Sequence, residues 1–118
     1  MRKPPLGATT RHRVVPCVLL IGADEEVTSL VRRCAALAVS ARLEITDVES
    51  MGTRAAEWRP FAILVQTSLL EFAPEEFIAV ARSVGARLVT LPDERLDDPR
   101  FKTELTTTLR AIRVQRKN

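Results

Sequence analysis

Apolar and polar positions along this chain alternate between two rhythms, and each change of rhythm marks a strand–helix boundary. "CVLLIG" (Cys17 to Gly22) is a short continuous apolar run rich in β-formers and closed by glycine, which predicts a strand buried on both faces of a parallel sheet. Val27, Leu30, Val31, Cys34, Leu37 and Ala38 then recur at helical spacing. Asp24, Glu25 and Glu26 stand at that helix's start, where carboxylates suit free N–H groups and the positive dipole end. "RLEITDV" (Arg42 to Val48) alternates apolar with polar residues and predicts a half-exposed edge strand. A short helix follows from about Ser50, with Met51, Ala55 and Trp58 on one side and Pro60 as its stop.

The third unit opens with "PFAILVQ", five apolar residues (Phe61 to Val65) that stop at the neutral polar group Gln66-Thr67-Ser68. Its helix is expected to begin at Pro74, a favoured first position, and to end at Gly85, with Phe77, Val80, Ala81 and Val84 facing inward. "ARLVTL" (Ala86 to Leu91) is the fourth strand. After a polar loop, Asp98-Pro99 announces the last helix by cap and first-turn proline, and Phe101, Leu105, Leu109 and Ile112 give its inner face. Strands alternating with helices in this way imply a parallel sheet with right-handed crossovers and helices on both faces.

Composition narrows the class without changing it. The 118 residues fit one domain, and 46% apolar with 28% charged residues is an ordinary globular balance. Residues 16–113 are expected to form the domain, between a basic N-terminal tail (1–15) and a C-terminal tail (114–118). No apolar run approaches the roughly 20 residues of a membrane span, and "MRKPPLGATTRHR" lacks the apolar core of a secretory signal, so the chain is expected to be cytoplasmic, with no membrane partner. Arginine outnumbers lysine 15 to 3, which with the many alanines suggests a bacterial source.

Reactive chemistry is sparse. Cys17 and Cys34 fall on apolar patterns and read as buried thiols, and two cysteines with one histidine cannot build a four-ligand zinc site. The histidine, His12, lies in the basic tail, which leaves Ser-His-Asp or Cys-His catalysis without a base. No metal, cofactor or catalytic residue is therefore expected. Net charge is +3, with the excess at the ends: Arg2, Lys3, Arg11 and Arg13 before the first strand, and Arg110, Arg113, Arg116 and Lys117 in the last helix. Basic ends attract nucleic acid. Without tyrosine or basic–aromatic interleaving, nucleic acid is the least favoured partner.

With these elements placed, residues from about Val15 to Ile112 resemble the receiver domain of bacterial response regulators, a flavodoxin-like doubly wound α/β fold. "VLLIGADEEVTSLVRRC" matches the family's first strand and helix without a gap. That register puts Gly22 and Ala23 where the magnesium-binding acids belong, and keeps an acid only at Asp24. "PFAILVQ" matches the third-strand frame and puts Gln66 at the phospho-acceptor. The lysine–proline pair that follows a fifth strand in receivers is absent after Leu91, and the fourth helix and fifth strand are missing or rudimentary. Thr90 approximates the switch hydroxyl.

The resemblance implies a sheet of four strands in order 2-1-3-4 and a degenerate pseudo-receiver. A glutamine offers no carboxylate for phosphoryl attack, and Gly22, Ala23 and Gln66 give magnesium almost none of the hard anionic oxygens it prefers. The order also leaves Arg87, Leu88, Val89, Thr90 and Leu91 as an apolar edge, a candidate interaction surface unless the Pro92–Pro99 loop covers it. The expected role is a non-enzymatic, phosphorylation-independent interaction module of bacterial signalling or regulation. Its partner would be another signalling or regulatory protein, or a second copy meeting it through the strand-4 edge or the last helix. The alternative is a small-molecule-binding or enzymatic α/β domain using the crevice between strands one and three, whose rim also carries Glu49, Glu71 and Asp93.

Overall fold

Segments with no polar break have no face to give to water, and in this chain they become the inner strands. In the computed structural model, which describes residues 16–94 and 98–117, β1 (Cys17–Ile21) is buried at all five positions, and β3 (Ala62–Gln66) at all but the last. On the flanks lie β2 (Arg42–Thr46) and β4 (Arg87–Leu91), which share one burial pattern: exposed, half-buried, half-buried, exposed, buried. All pairings are parallel, in the order β2-β1-β3-β4. This is the four-stranded flavodoxin-like α/β sheet expected from the sequence. Among the described residues there is no fifth strand.

Helices α1 (Glu25–Val39), α2 (Met51–Trp58), α3 (Thr67–Phe72), α4 (Pro74–Val84) and α5 (Pro99–Lys117) complete the chain. Alternate residues of a strand point to opposite faces, so the sheet divides its side chains between two cores. On one face Val18, Leu20, Ala62, Leu64 and Leu91 pack with Val27, Val31 and Cys34 of α1 and Leu105, Leu109 and Ile112 of α5. On the other, Leu19, Ile21, Ile63 and Val65 pack with Met51 and Ala55 of α2 and Phe77, Ala81 and Val84 of α4. Truncating a central member such as Leu19, which has no exposed surface, costs on the order of 2–5 kcal/mol.

Several local expectations need adjusting. Leu37, read as inward, is 69% exposed, because it sits at the margin of the α1 stripe in the last turn; Ala35, fully buried, takes its place. The β2 strand ends at Thr46, two residues early. Helix α5 runs to Lys117, so residues 114–117, expected as a tail, continue the helix. The largest difference is α3. Gln66-Thr67-Ser68 does not open into a loop: the chain turns straight from β3 into a helix that ends one residue before Pro74 begins α4. The basic tail, with Arg2, Lys3, Arg11, His12 and Arg13, lies outside the described residues, as does the loop segment 95–97.

Candidate functional site

The strand order reverses between β1 and β3, and their carboxyl ends are where open α/β sheets hold ligands. Ile21 pairs with Val65, so Gly22 and Gln66 lie opposite each other one step further on. The structure thus brings together the two positions that the sequence singled out. The neighbour that meets Gly22 most closely is apolar. Gly22 has a left-handed backbone (φ +60), and a Cβ placed on it would come within 2.6 Å of Leu69 Cδ2. Leu69, the third residue of α3, is laid directly on the glycine backbone and packs with the Ile21–Val65 core. Leu69 thus covers the α3 side of the strand-tip crevice, while Gly22 stays exposed and, with Ala23, Thr46, Asp47 and Arg54, lines a cavity of about 390 Å³ on the β2 side.

The polar groups around it are engaged elsewhere. Gln66 Nε2 donates to the Pro92 carbonyl at 3.3 Å, and Thr67 Oγ1 donates to the Leu91 carbonyl at 3.1 Å. Ser68 donates its backbone N–H (3.3 Å) and its hydroxyl (2.8 Å) to Asp93 Oδ1. Together these four bonds latch the start of α3 onto the turn after β4. Asp24 acts as a helix cap: its Oδ1 accepts the Val27 N–H at 2.9 Å, and its carbonyl accepts both the Thr28 N–H and the Thr28 hydroxyl. Ala23 is half-buried against the α1–α5 core. Of the other rim acids, Glu71 belongs to α3, while Glu49 is exposed after β2. Among the described residues no three His, Cys, Asp or Glu side chains converge to hold a metal ion.

Both cysteines are buried and free. Burial pushes the Cys17 thiol above its ordinary value of 9.0; Arg42, by hydrogen bond and charge, partly opposes this, and Glu44 adds to it. Two of the arginines counted as a basic end have structural contacts: Arg110 Nε donates to the Ala38 carbonyl, and the Arg113 guanidinium lies 5.9 Å from the Phe61 ring centroid. Trp58, half-buried beside the α2–α4 core, has the Arg54 guanidinium 5.4 Å from its ring.

The second sequence candidate, the β4 strand, is a sheet edge: among the described residues no strand pairs with its outer side. The Arg87 N–H donates to the Phe61 carbonyl of the segment entering β3. Backbone groups alternate in direction along a strand, so Arg87, Val89 and Leu91 bond toward β3 while Leu88 and Thr90 turn their N–H and C=O groups outward. Thr90 pairs with Val65, one step before Gln66, whose own partner is Leu91. Thr90 thus stands on the edge at a level below the glutamine, and its side chain is exposed. Beside β4, where a fifth strand would run, lies a groove between the edge and α5. One part holds about 490 Å³ and includes Glu94, Asp98, Arg100 and Glu104 in its lining; the other includes Arg87, Thr108, Ala111 and Gln115.

Among the described residues no helix is long and apolar enough to cross a membrane. Compared with protein-family models, with curated proteins and with solved structures, the chain matches none.

Sequence reasoning missed α3 and with it the contact of Leu69 on Gly22. The Ser68-x-x-Glu71 spacing does not mark the start of this helix, whose N-cap is Gln66 and whose Ser68 hydroxyl is turned to Asp93.

Proposed function

We propose that this chain is a non-catalytic protein-interaction module, a receiver-like scaffold of bacterial signalling or regulation that works without phosphorylation. The observation that carries the reading is Leu69 seated on Gly22. A phospho-accepting site needs a water-accessible carboxylate and a cluster of anionic oxygens for magnesium. Here the acceptor position is an amide hydrogen-bonded to Pro92, one acid position is a glycine under a leucine, and the remaining acid, Asp24, caps α1. With Leu69 over the Gly22 backbone and no carboxylate at Gln66, a surface is the proposed means of acting, and of the two sheet edges the lightly charged β4 strand with its groove is the better candidate.

The test is incubation of the full chain with magnesium and acetyl phosphate, followed by intact mass measurement and thermal melting. The reading predicts no gain of a phosphoryl group and no change in melting temperature. A phosphorylated species, or a saturable stabilisation by magnesium alone, would overturn it.

A further inference from the structure

The two edges of the sheet are treated differently by the sequence. Edge strands present free N–H and C=O groups and are commonly guarded by charge. The β2 edge carries two charges, Arg42 at its first residue and Glu44 at its middle, ion-paired at 2.9 Å. The β4 edge, Arg87-Leu-Val-Thr-Leu91, carries one charge, at its first residue. Its outward backbone groups belong to Leu88 and Thr90, which flank Val89 symmetrically. Pro92, the next residue that would point outward, has no N–H to give and ends the ladder.

We infer that the occupant of this edge is a second copy of the chain, paired antiparallel about a two-fold axis through Val89. In that register Leu88 of each copy faces Thr90 of the other, and each such pair exchanges two hydrogen bonds. All four outward groups of both edges are then satisfied, with none left over. Val89 meets its own symmetry mate on the α5 side of the sheet.

Charge chooses this direction over a parallel one. The strand begins at Arg87 and is followed by Asp93 and Glu94, both exposed, while the groove beside it has Arg87 at one end and, at the other, Glu94, Asp98 and Glu104 against one arginine, Arg100, a net acidic end. Antiparallel pairing lays the basic end of each copy against the acidic end of its mate. Arg87 then stands opposite Leu91 and diagonal to Asp93, within reach of a long side chain that exchanges its 2.9 Å hydrogen bond to Gln115 Oε1 for the mate's carboxylate. Thr108 and Ala111, the small residues of α5 that line the groove, leave room for the mate's helix. A two-fold contact of this kind is closed: both β4 edges are consumed, the outer edges of the joined sheet are the charged β2 strands, and no fibre can grow.

This inference rests on the non-catalytic reading for its significance and on the edge alone for its truth, so the two fail separately. The experiment is sedimentation velocity on the full chain over a wide concentration range, with hydrogen exchange on the same samples. The expected species has twice the chain mass of 13.2 kDa, and the Leu88 and Thr90 amides gain protection as it forms. Thr90→Pro removes an N–H that bonds nothing among the described residues of its own copy, and should weaken association at least about tenfold while the chain stays folded by circular dichroism. Arg87→Glu, which leaves the backbone untouched, should weaken it in a salt-dependent manner. Ile45→Pro, placed on the outward side of β2 as Thr90 is on β4, should leave the dimer intact. A monomer at every concentration overturns the inference, and so does a dimer that survives both β4 substitutions. Phosphoryl uptake in the previous test would overturn the non-catalytic reading without touching this one.

Discussion

Alanine at Gly22 and alanine at Gly85 impose nearly the same backbone strain, and comparing them isolates the contact between Gly22 and Leu69. Both glycines have left-handed backbones, with φ +60 and φ +71 respectively. A non-glycine residue in that conformation costs on the order of 1–2 kcal/mol. At Gly85 the new methyl group meets nothing within 4 Å, so the strain is the whole cost; at Gly22 it meets Leu69 Cδ2 at 2.6 Å. The leucine must leave its rotamer, which adds about 0.5–1.5 kcal/mol. Gly22→Ala should therefore cost about 2–3 kcal/mol and Gly85→Ala about 1–2 kcal/mol. Leu69→Ala removes a half-buried side chain at a cost of about 1–2 kcal/mol, below the range for fully buried leucines. In the double variant Gly22→Ala/Leu69→Ala the clash is gone, so its cost should fall short of the sum by about 1 kcal/mol. Urea denaturation followed by circular dichroism resolves this: at an m-value of about 2 kcal/mol/M, the coupling is a midpoint difference of about 0.5 M. Equal costs at the two glycines, with additivity at the Gly22–Leu69 pair, would refute the claim that Leu69 covers the α3 side of the strand-tip crevice.

Three further outcomes follow from the same coordinates. Asp24→Ala should cost about 1 kcal/mol in denaturant, because the Asp24 carboxylate caps α1 at Val27; no loss of stability would mean the cap is not formed in solution. Cys17, with a thiol held above its ordinary 9.0 by burial, binds its proton more tightly in the folded chain than in the unfolded one. The stability it contributes is complete below pH 9.0 and is lost as the pH rises through the folded-state value. Stability–pH profiles above that point should accordingly be flatter for Cys17→Ala than for the native chain, and identical slopes would contradict it. Gln66→Asp alone should gain no phosphoryl group from acetyl phosphate by intact mass, since Leu69 stays in place and the magnesium acids are still missing; incorporation would show that neither blocks the reaction.

The layer architecture was legible in the sequence because it depends on patterns of burial. Continuous apolar runs at Cys17–Ile21 and Phe61–Val65 had one solution, inner strands, and the polar positions of β2 marked an edge. "ARLVTL" reads as apolar by composition; only the strand order placed it at the opposite edge, half-exposed. The site was half legible. That Gly22 and Gln66 lie opposite each other was what the resemblance to receiver domains implied, and Asp24 at the mouth of α1 followed from its place before the helical pattern. That Leu69 lies on Gly22 was not legible, because it depends on a six-residue helix whose start is fixed by tertiary bonds to Leu91, Pro92 and Asp93, more than twenty positions away. Such distant partners leave no local periodicity to read. Leu37 failed because it stands at the margin of the helical stripe, where spacing does not say which flank is covered; Ala35, on the other flank, is the buried one.

The central claim is that shape at the β4 edge, and not phosphate chemistry at the strand tips, is how this scaffold acts. The most direct measurement is a titration of the isotope-labelled full chain with magnesium and beryllofluoride, a mimic of the acyl phosphate, followed through backbone amide resonances. The account predicts that the amides of Gly22, Gln66 and Thr90 do not shift at any concentration of the mimic. Saturable shifts at the tips of β1 and β3, relayed to Thr90, would contradict it.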